Sequence, residues 1–466
     1  MTVSGTTSGP EVLVEIDRGS AEPLHRQLTA GLRDAVRSGR LAPTSRMPST
    51  RVLADDLGVS RRLVVEVYTQ LIAEGFLTSA HGAGTFVADI DTNTHAEAAD
   101  DHHVTRYEVD FGTGLPDLRS FPRDRWLRAL RHGLSRLPSE SLGYVAPQGL
   151  PDTRQAIAGY LQRTRGIAAD PGQIVLCSGA TQGLGLLAQV LRERGDGTIA
   201  MEEPGFWLHR IVLRRNGIDP LPLPVDDHGF DIAALRASPA RVALTTPAHQ
   251  CPTGVVMTAQ RRADLLDWAR DGNLIIEDDY DAEYRFDRRP IGALQGLAAD
   301  RVICMGTASK TLAPGLRIGW LVLPPALVDA VTLSKGIADS GNSVMDQVAF
   351  AELLDSGDYD RHLRQMRRRY ASRRSTLLTM LGEHLPAATV SGAAAGIQLA
   401  AVFPDGYDVE ELVRRAATSR VHVESTRPFY AHRAGAPPGL LLNYANVTES
   451  QIITGMTILG RIARQL

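Results

Sequence analysis

The sequence predicts a multidomain protein in which a small N-terminal winged helix-turn-helix domain precedes a larger α/β domain. The chain has 466 residues, more than the ~250–300 that a single hydrophobic core organises. Near the N-terminus, two short helix patterns separated by Gly58-Val59-Ser60 are followed by a hairpin pattern. From about residue 108 onward, short apolar runs alternate with amphipathic helical segments, as in doubly wound α/β folds.

The composition excludes several classes of protein. Hydrophobic residues make up 43% and charged residues 22%, which is typical of globular proteins and not of disordered or collagen-like chains. Cys177, Cys251 and Cys304 form no metal-ligand or disulfide pattern, so we expect no metal site and a reducing, cytoplasmic compartment. Neither a membrane span nor a signal peptide is visible, so no membrane association is expected.

The N-terminal domain, expected over residues 11–88, is built from three helices and a hairpin. Each helix shows apolar residues at helical spacing, with a capping residue or a proline at its start and a glycine at its end. The predicted elements are a helix over about 23–38, a second capped by Ser49 and ended by Gly58, a third capped by Ser60 and ended by Gly75, and hairpin strands at 76–79 and 85–88.

Arginines are concentrated in this domain. Six arginines against two aspartates lie between positions 37 and 62. Arg61 and Arg62 begin the third helix, the end that a helix-turn-helix presents to base edges in the major groove. Residues suited to hold DNA phosphates are Arg46, Ser49, Thr50, Arg51 and Ser60. The alternative is a solvated basic face on a purely structural three-helix unit.

The segment over 47–87, MPSTRVLADDLGVSRRLVVEVYTQLIAEGFLTSAHGAGTFV, resembles the GntR-type winged-helix domain throughout. The resemblance implies that operator DNA is contacted by Arg51, Ser60 and Arg61, with His81 and Gly82 in the wing. Val65 departs from the pattern, because some relatives carry an arginine at that position.

Residues 89–107 are acidic and lack apolar periodicity, which predicts an extended, solvated linker. A plain spacer is the favoured interpretation. His95, His102 and His103 have no partner ligand pattern, so no metal site is predicted there.

In the C-terminal domain, expected over 108–466, ligands should bind at the carboxyl ends of the strands. Strands are predicted at 174–176, 242–244, 274–276, 302–304 and 321–323. Three of them are followed by polar residues: a small-residue turn into a helix at 177–183, an acidic cluster at 277–281, and a hydroxyl-rich run at 306–310. The first is a possible phosphate cradle, and the last ends in Lys310.

Only two lysines occur in the chain, Lys310 and Lys335. Pyridoxal 5'-phosphate (PLP) requires an amine for its aldehyde, a carboxylate for its ring nitrogen and donors for its phosphate. Lys310, Asp278 and Arg317 supply these three groups, which predicts a PLP site. The alternative is that Lys310 is a surface charge on a loop.

The motifs GYVAPQGL, SGATQG, EEPGF, TPAHQCPTG, EDDYDAEYRF and GTASKTLAPGLRIGW resemble fold-type I PLP-dependent aminotransferases. This domain joined to a GntR-type head is similar to the MocR-type transcriptional regulators, which include GabR and PdxR. The resemblance implies that Lys310 forms the internal aldimine, Asp278 pairs with the ring nitrogen and Tyr280 bonds the cofactor hydroxyl. It also implies that Phe206 stacks on the ring and that Tyr144 reaches a neighbouring subunit's site. The residues that it implies for the phosphate are Ala180, Thr181, Thr307, Ser309 and Arg317.

Two residues depart from the aminotransferase pattern. Cys251 replaces the asparagine that many aminotransferases carry before Pro-Thr-Gly. Leu441 occupies the place of the arginine that commonly binds the substrate carboxylate. Residues that could compensate are Arg210, Arg427 and Arg433, and the sequence leaves the choice among them open.

The favoured hypothesis is therefore a cytoplasmic regulator that binds operator DNA and senses PLP, alone or as an aldimine with an amino-compound effector. A second hypothesis is an active PLP-dependent aminotransferase with a fused DNA-binding head, although Leu441 disfavours turnover. A third is a DNA-binding protein with a cofactor-free scaffold. The family resemblance also implies a head-to-tail homodimer.

Overall fold

The computed structural model describes residues 16–80, 84–89, 107–286, 291–392 and 395–466. It separates into two compact units, Met1–Thr105 and Arg106–Leu466. Several residues named above lie outside the described residues: His81 and Gly82 of the wing, and the linker histidines His95, His102 and His103.

The N-terminal unit has the predicted winged-helix elements. They are α1 (Leu24–Arg37), α2 (Thr50–Leu57), α3 (Arg61–Ala73), β1 (Leu77–Ala80) and β2 (Gly84–Val87). The caps are those expected, because the Ser49 and Ser60 hydroxyl oxygens accept hydrogen bonds from backbone N–H groups at the start of α2 and α3, each at 3.3 Å. Gly58 ends α2 with φ 63°, a conformation that favours glycine.

Apolar residues from all three helices and both strands form one core in this unit. Leu28, Leu32, Val64, Leu71 and Leu77 are each at most 1% exposed. The strands pair antiparallel, with Leu77 opposite Val87. The beginnings of α2 and α3 remain at the surface, where Ser49, Ser60 and Arg61 are exposed.

The C-terminal unit alternates strands and helices over its first part. This part contains β3 (Val109–Asp110), α4 (Arg123–Arg136), α5 (Pro151–Arg165), β4 (Ile174–Cys177), α6 (Ala180–Glu193), β5 (Thr198–Glu203), α7 (Trp207–Arg215), β6 (Asp219–Asp226), β7 (Gly229–Phe230), α8 (Ile232–Ala237), β8 (Val242–Thr245), α9 (Ala259–Arg270), β9 (Leu274–Asp279), β10 (Val302–Thr307), β11 (Gly319–Val322) and α10 (Pro325–Asp339).

The remaining elements carry a second, smaller sheet. They are α11 (Val344–Asp355), α12 (Asp358–His384), β12 (Thr389–Ser391), β13 (Gln398–Val402), α13 (Val409–Thr418), β14 (Val421–His422), β15 (Glu424–Ser425), β16 (Gly439–Asn443) and α14 (Glu449–Ala463). The antiparallel order is β12-β13-β16-β15. β14 instead pairs with β3, placing Val421 beside Val109. Among the helices of the described ranges, none is long and apolar enough to cross a membrane.

Within the described part of the chain, the main sheet has eight strands in the order β4-β11-β10-β9-β8-β5-β6-β7. All the predicted strands are present, but β11 runs antiparallel to both of its neighbours. Its first residue, Gly319, therefore lies beside Thr307 and Cys177, the last residues of β10 and β4. A Cβ at Gly319 would lie 2.8 Å from the Gly179 Cα, so glycine lets the turn after β4 pack directly on the sheet.

The acidic cluster at 277–281 begins inside a strand, and not after it as the sequence suggested. Because side chains alternate along β9, Glu277 and Asp279 share one face and Asp278 points to the other. The Glu277 carboxylate accepts the backbone N–H groups of residues 294 and 295, at 3.0 and 3.1 Å. Asp279 is paired in the interior with Arg165, with contacts of 2.6 and 2.9 Å. The cluster is thus split: the Glu277 and Asp279 carboxylates are held in the interior, whereas Asp278 lies on the other face of the strand.

Candidate functional site

One cavity of about 1100 Å³ in the C-terminal unit brings together every predicted cofactor residue except Tyr144. Those that line it are Ala180, Thr181, Phe206, Asp278, Tyr280, Thr307, Ser309, Lys310 and Arg317. They come from the carboxyl ends of parallel strands and the turns that follow, as expected for an α/β sheet. Tyr144 lies outside the cavity and its side chain is fully exposed.

Lys310 extends into the cavity from the loop that follows β10. Its Nζ donates a hydrogen bond to the Gly114 carbonyl oxygen at 2.8 Å. Burial lowers the pKa of the Lys310 amine, while Cys251 and Asp281 act in the opposite direction. A lower pKa increases the fraction of unprotonated amine, which is the form that attacks an aldehyde.

Asp278 presents an unpaired carboxyl oxygen. Its Oδ2 lies 3.4 Å from His209 Nε2, whereas its Oδ1 is buried and has no hydrogen-bond partner among the described residues. Burial, followed by the nearby Asp279, raises the pKa of Asp278 to about 8. Burial and Arg210 lower the pKa of His209 to about 4, so the Asp278–His209 contact is not an ion pair near neutral pH. A protonated ring nitrogen at Oδ1 would satisfy this group, so the site fits PLP.

The turn between β4 and α6 forms the end of the cavity that suits a phosphate. Gly179 has φ 91°, and a Cβ there would lie 3.3 Å from Arg317 Nη1. The 14-residue helix α6 begins at Ala180, so its first N–H groups face this space. The Arg317 guanidinium donates to the Ser178 carbonyl oxygen, and the Thr307 and Ser309 hydroxyl oxygens lie 2.9 Å apart. Cation, hydroxyls and helix terminus form a suitable phosphate cradle.

Cys251 and Leu441, the two departures from the aminotransferase pattern, pack in a small apolar cluster with Ala400 and Phe429. Leu441 is fully buried and does not line the cavity. Cys251 does line it, and burial raises the pKa of its thiol. The thiol is therefore neutral and can offer a ligand only a weak hydrogen bond.

Leu441 stands where aminotransferases commonly carry a substrate-binding arginine. The three arginines that could take over that role differ in what they contact. Arg210 is buried, and its guanidinium donates to three backbone carbonyl oxygens at 2.7 to 3.1 Å. Arg427 is exposed and does not line the cavity. Arg433 lines the cavity, and its guanidinium makes no hydrogen bond or ion pair within the described residues. Arg433 is thus the best placed of the three to meet a ligand anion.

Sequence reasoning missed several residues that complete this site. His209 lies beside Asp278, and the Gly114 carbonyl binds Lys310. His249 contacts both Asp281 and Tyr280. His249 closely follows strand β8, at the sheet edge where ligand-binding groups are expected, and that position was the signal available. No pattern in the sequence relates it to Tyr280.

In the N-terminal unit, the polar residues predicted to meet DNA lie at the starts of α2 and α3. Arg61 Nε lies 3.4 Å from Thr50 Oγ1, which brings the two helix starts together. The Arg62 guanidinium contacts Glu66 at 3.1 Å, and Arg51 is exposed. The other described members of the predicted set, Arg46, Ser49 and Ser60, are also exposed. The arrangement provides cations and hydroxyls on one helix-turn-helix surface.

Two protein families match the chain. Residues 24–87 match "Bacterial regulatory proteins, gntR family", and residues 108–457 match "Aminotransferase class I and II". The second match covers most of the chain, and together they agree with the two domains inferred from the fold.

Two transcriptional regulators are similar to this chain over most of its length. The "Probable rhizopine catabolism regulatory protein MocR" of Rhizobium meliloti is 34% identical over 96% of this chain and 95% of its own length. The "HTH-type pyridoxine biosynthesis transcriptional regulator PdxR" of Corynebacterium glutamicum is 33% identical over 77% of this chain and 78% of its own.

Among solved structures, a kynurenine aminotransferase of Pyrococcus horikoshii superposes with a TM-score of 0.70 and 27% identity, over 77% of this chain and 91% of that one. The C-terminal unit thus has the fold-type I aminotransferase fold. The chain belongs to the MocR-type family of HTH-type transcriptional regulators, in which a GntR-type winged helix is joined to a domain of the aminotransferase class I and II family.

Proposed function

We propose that this protein is a cytoplasmic, PLP-responsive transcriptional regulator that binds operator DNA. It senses PLP itself or an amino compound condensed with it. The observation that carries the proposal is that one cavity holds both the Lys310 amine and the unpaired Oδ1 of Asp278. The phosphate cradle around Arg317 completes the set of groups that this cofactor requires.

When bound, PLP supplies an aldehyde that captures primary amines reversibly. In the proposed site, Lys310 holds that aldehyde through its amine, Asp278 binds the ring nitrogen, and Tyr280 binds the ring hydroxyl. Phe206 packs against the ring. The phosphate is held by Ala180, Thr181, Thr307, Ser309 and Arg317.

The proposed DNA contacts divide into two groups. Arg61 and Arg62 read base edges from the start of α3. The phosphates are held by Arg46, Ser49, Thr50, Arg51 and Ser60, with His81 and Gly82 of the wing adding further contacts.

We further propose a homodimer in which Tyr144 reaches the cavity of the second copy. Leu142 is 58% exposed and Ile337 80% exposed, and a Cβ at Gly336 would lie 3.1 Å from Pro147. The segment around Tyr144 and helix α10 therefore carry neighbouring exposed apolar side chains. A surface of this kind is expected to be covered by a partner.

For the effector, the cavity favours an amino compound that carries an anionic group. Arg433 lines the cavity, and so does Arg214. Neither makes an ion pair within the described residues. A carboxylate bound there would make charge-assisted hydrogen bonds with an otherwise unpaired guanidinium.

The proposal is tested by titrating the PLP-loaded full chain with a selected DNA duplex, with and without amino carboxylates and their matched alkylamines. We expect an amino carboxylate to change DNA affinity at a lower concentration than the amine of the same length. DNA binding that responds neither to PLP nor to any amino compound would contradict the regulatory proposal.

A matched pair of variants locates the anion contact. We expect Arg433→Ala to raise the amino carboxylate concentration needed for the response by about tenfold, as loss of a hydrogen bond to a charged group implies. Arg427→Ala, which removes the same charge outside the cavity, should leave the response unchanged. Equal effects of the two variants would refute the assignment of Arg433.

The second candidate function is transamination, because the cavity contains the residues that such an enzyme uses. We expect it to be slow. Leu441 puts no cation where aminotransferases commonly hold the substrate carboxylate. A carboxylate held by Arg433 instead would orient the amino acid from a different position, so its Cα proton is poorly aligned for loss. Multiple-turnover assays with a panel of amino acids and keto acids measure this rate. Rapid keto acid formation would favour the enzyme over the regulator.

A further inference from the structure

A cluster next to the proposed cofactor site consists of the buried His249 and Asp281 and the half-buried Tyr280. His249 is 3% and Asp281 1% exposed. His249 Nδ1 lies 3.0 Å from Asp281 Oδ2, 3.2 Å from Asp281 Oδ1 and 3.0 Å from the Tyr280 hydroxyl oxygen. One ring nitrogen is therefore shared by an acidic side chain and a phenol.

The contact with Asp281 determines which ring nitrogen carries the proton. A carboxylate can only accept a hydrogen bond, so a bare Nδ1 would place two lone pairs 3.0 Å apart in the interior. With the proton on Nδ1, His249 donates to Asp281 and this repulsion is removed. The proton therefore resides on Nδ1.

The second ring nitrogen supports the same assignment. His249 Nε2 is buried and has no hydrogen-bond partner among the described residues. Buried N–H donors without a partner are rarer than under-satisfied acceptors. A proton on Nε2 would create such a donor, whereas the Nδ1–H form leaves only an acceptor unpaired.

This protonation state fixes the direction of the Tyr280 hydroxyl. Because the Nδ1 lone pair is absent, the Tyr280 oxygen can only accept from His249. Burial raises the pKa of Tyr280 far above its usual value, so the phenol keeps its proton. Tyr280 lines the cavity, and its proton is left to be donated there.

The position of the His249–Asp281 pair requires a glycine at residue 396. Gly396 has φ 81°, and a Cβ there would overlap the His249 ring and lie 2.6 Å from Asp281 Oδ2. A side chain at position 396 would therefore displace His249 or Asp281. In this chain the hydrogen bond to the ring oxygen depends on Tyr280, because the buried Cys251 thiol beside it is only a weak donor.

We propose that His249 and Asp281 are positioning residues that hold the Tyr280 hydroxyl as a hydrogen-bond donor to the ring oxygen of the cofactor. This inference rests on the proposed PLP site. A hydrogen bond donated to that oxygen favours its ionised form. Without the His249 N–H, the Tyr280 oxygen loses the donor that directs its own proton toward the cavity, and the bond to the cofactor weakens.

The test is a pH titration of the visible absorption band of the PLP-loaded full chain. Tyr280→Phe should raise the apparent pKa of the band by about one unit, since a hydrogen bond to a charged group is of that size. His249→Leu and His249→Gln should produce a similar rise. His249→Asn, which keeps an N–H near the Nδ1 position, should remain close to the parent value.

The double variant His249→Leu/Tyr280→Phe separates positioning from an independent effect. We expect its titration to match that of Tyr280→Phe alone, because His249 acts through Tyr280. The other titratable groups near Tyr280 are unchanged in all of these variants; they are Asp278, Cys251, Asp281 and Glu202. Differences among the variants therefore report on the hydrogen bond that Tyr280 donates.

Additive shifts in the double variant, or unchanged titrations for both His249→Leu and His249→Gln, would overturn the proposal. An apparent pKa for Tyr280→Phe equal to that of the parent protein would also overturn it. Absence of any visible band in the parent protein is a different result, because it would refute the PLP site itself.

Discussion

Replacing Lys310 with alanine is expected to abolish the visible absorption band of the PLP-treated protein and its fixation by borohydride. Within the described residues, Lys310 is the lysine whose amine lines the cavity. Its lowered pKa favours the nucleophilic form of the amine. Absorption spectra before and after dialysis, with mass spectrometry of the borohydride-treated chain, measure the loss.

Lys335 provides the matched control. Its Nζ is fully buried and lies 2.6 Å from both carboxylate oxygens of Asp339, and Lys335 is not part of the cavity lining. Lys335→Met removes this amine while keeping a long buried side chain. We expect the band to persist, with a lower melting temperature because Asp339 loses its ion-pair partner. Borohydride labelling at Lys335 would refute the site.

The second large effect is expected in DNA binding. Arg61→Ala should weaken binding to a duplex selected with the parent chain about tenfold or more and relax its sequence preference, because a bidentate base contact contributes ~1–3 kcal/mol. Arg51→Ala should weaken binding to all sequences alike and reduce the salt dependence by about one phosphate contact. Titrations at several salt concentrations distinguish the two effects.

Arg26→Ala is the control for charge. Arg26 is exposed on α1, within the same unit, and was not predicted to meet DNA. We expect its affinity and salt slope to remain those of the parent. If Arg26→Ala weakens binding as much as Arg51→Ala and Arg61→Ala do, net charge alone accounts for the affinity, and the helix-turn-helix assignment fails.

Several parts of the site were accessible from the sequence because their signals are local. The caps of α2 and α3 depend on a serine and the backbone a few residues later. The strands are short apolar runs, and residues just after a strand share one sheet edge wherever the strands are parallel. Lys310 could be identified because the chain has only two lysines. In the structure it lines the same cavity as Asp278 and Arg317.

Other features depend on contacts between residues far apart in the chain. The sequence could not show that Glu277 and Asp279 are held by interior partners while Asp278 keeps one carboxyl oxygen without a partner among the described residues, because Arg165 lies 114 positions before Asp279. It left Arg210, Arg427 and Arg433 equivalent. The fold distinguishes them, since Arg210 is occupied by backbone carbonyl groups and Arg427 lies outside the cavity.

By itself, the sequence determined the two-domain organisation, the main helices and strands, and the residue types that PLP and DNA require. Those properties follow from periodicity, capping and motif spacing, which act over a few residues. Only the tertiary structure decided that Asp278 keeps an oxygen without a partner among the described residues and that His249 contacts Tyr280. Burial and hydrogen bonding between distant segments set the charge and the proton positions of these groups, and both depend on the three-dimensional fold.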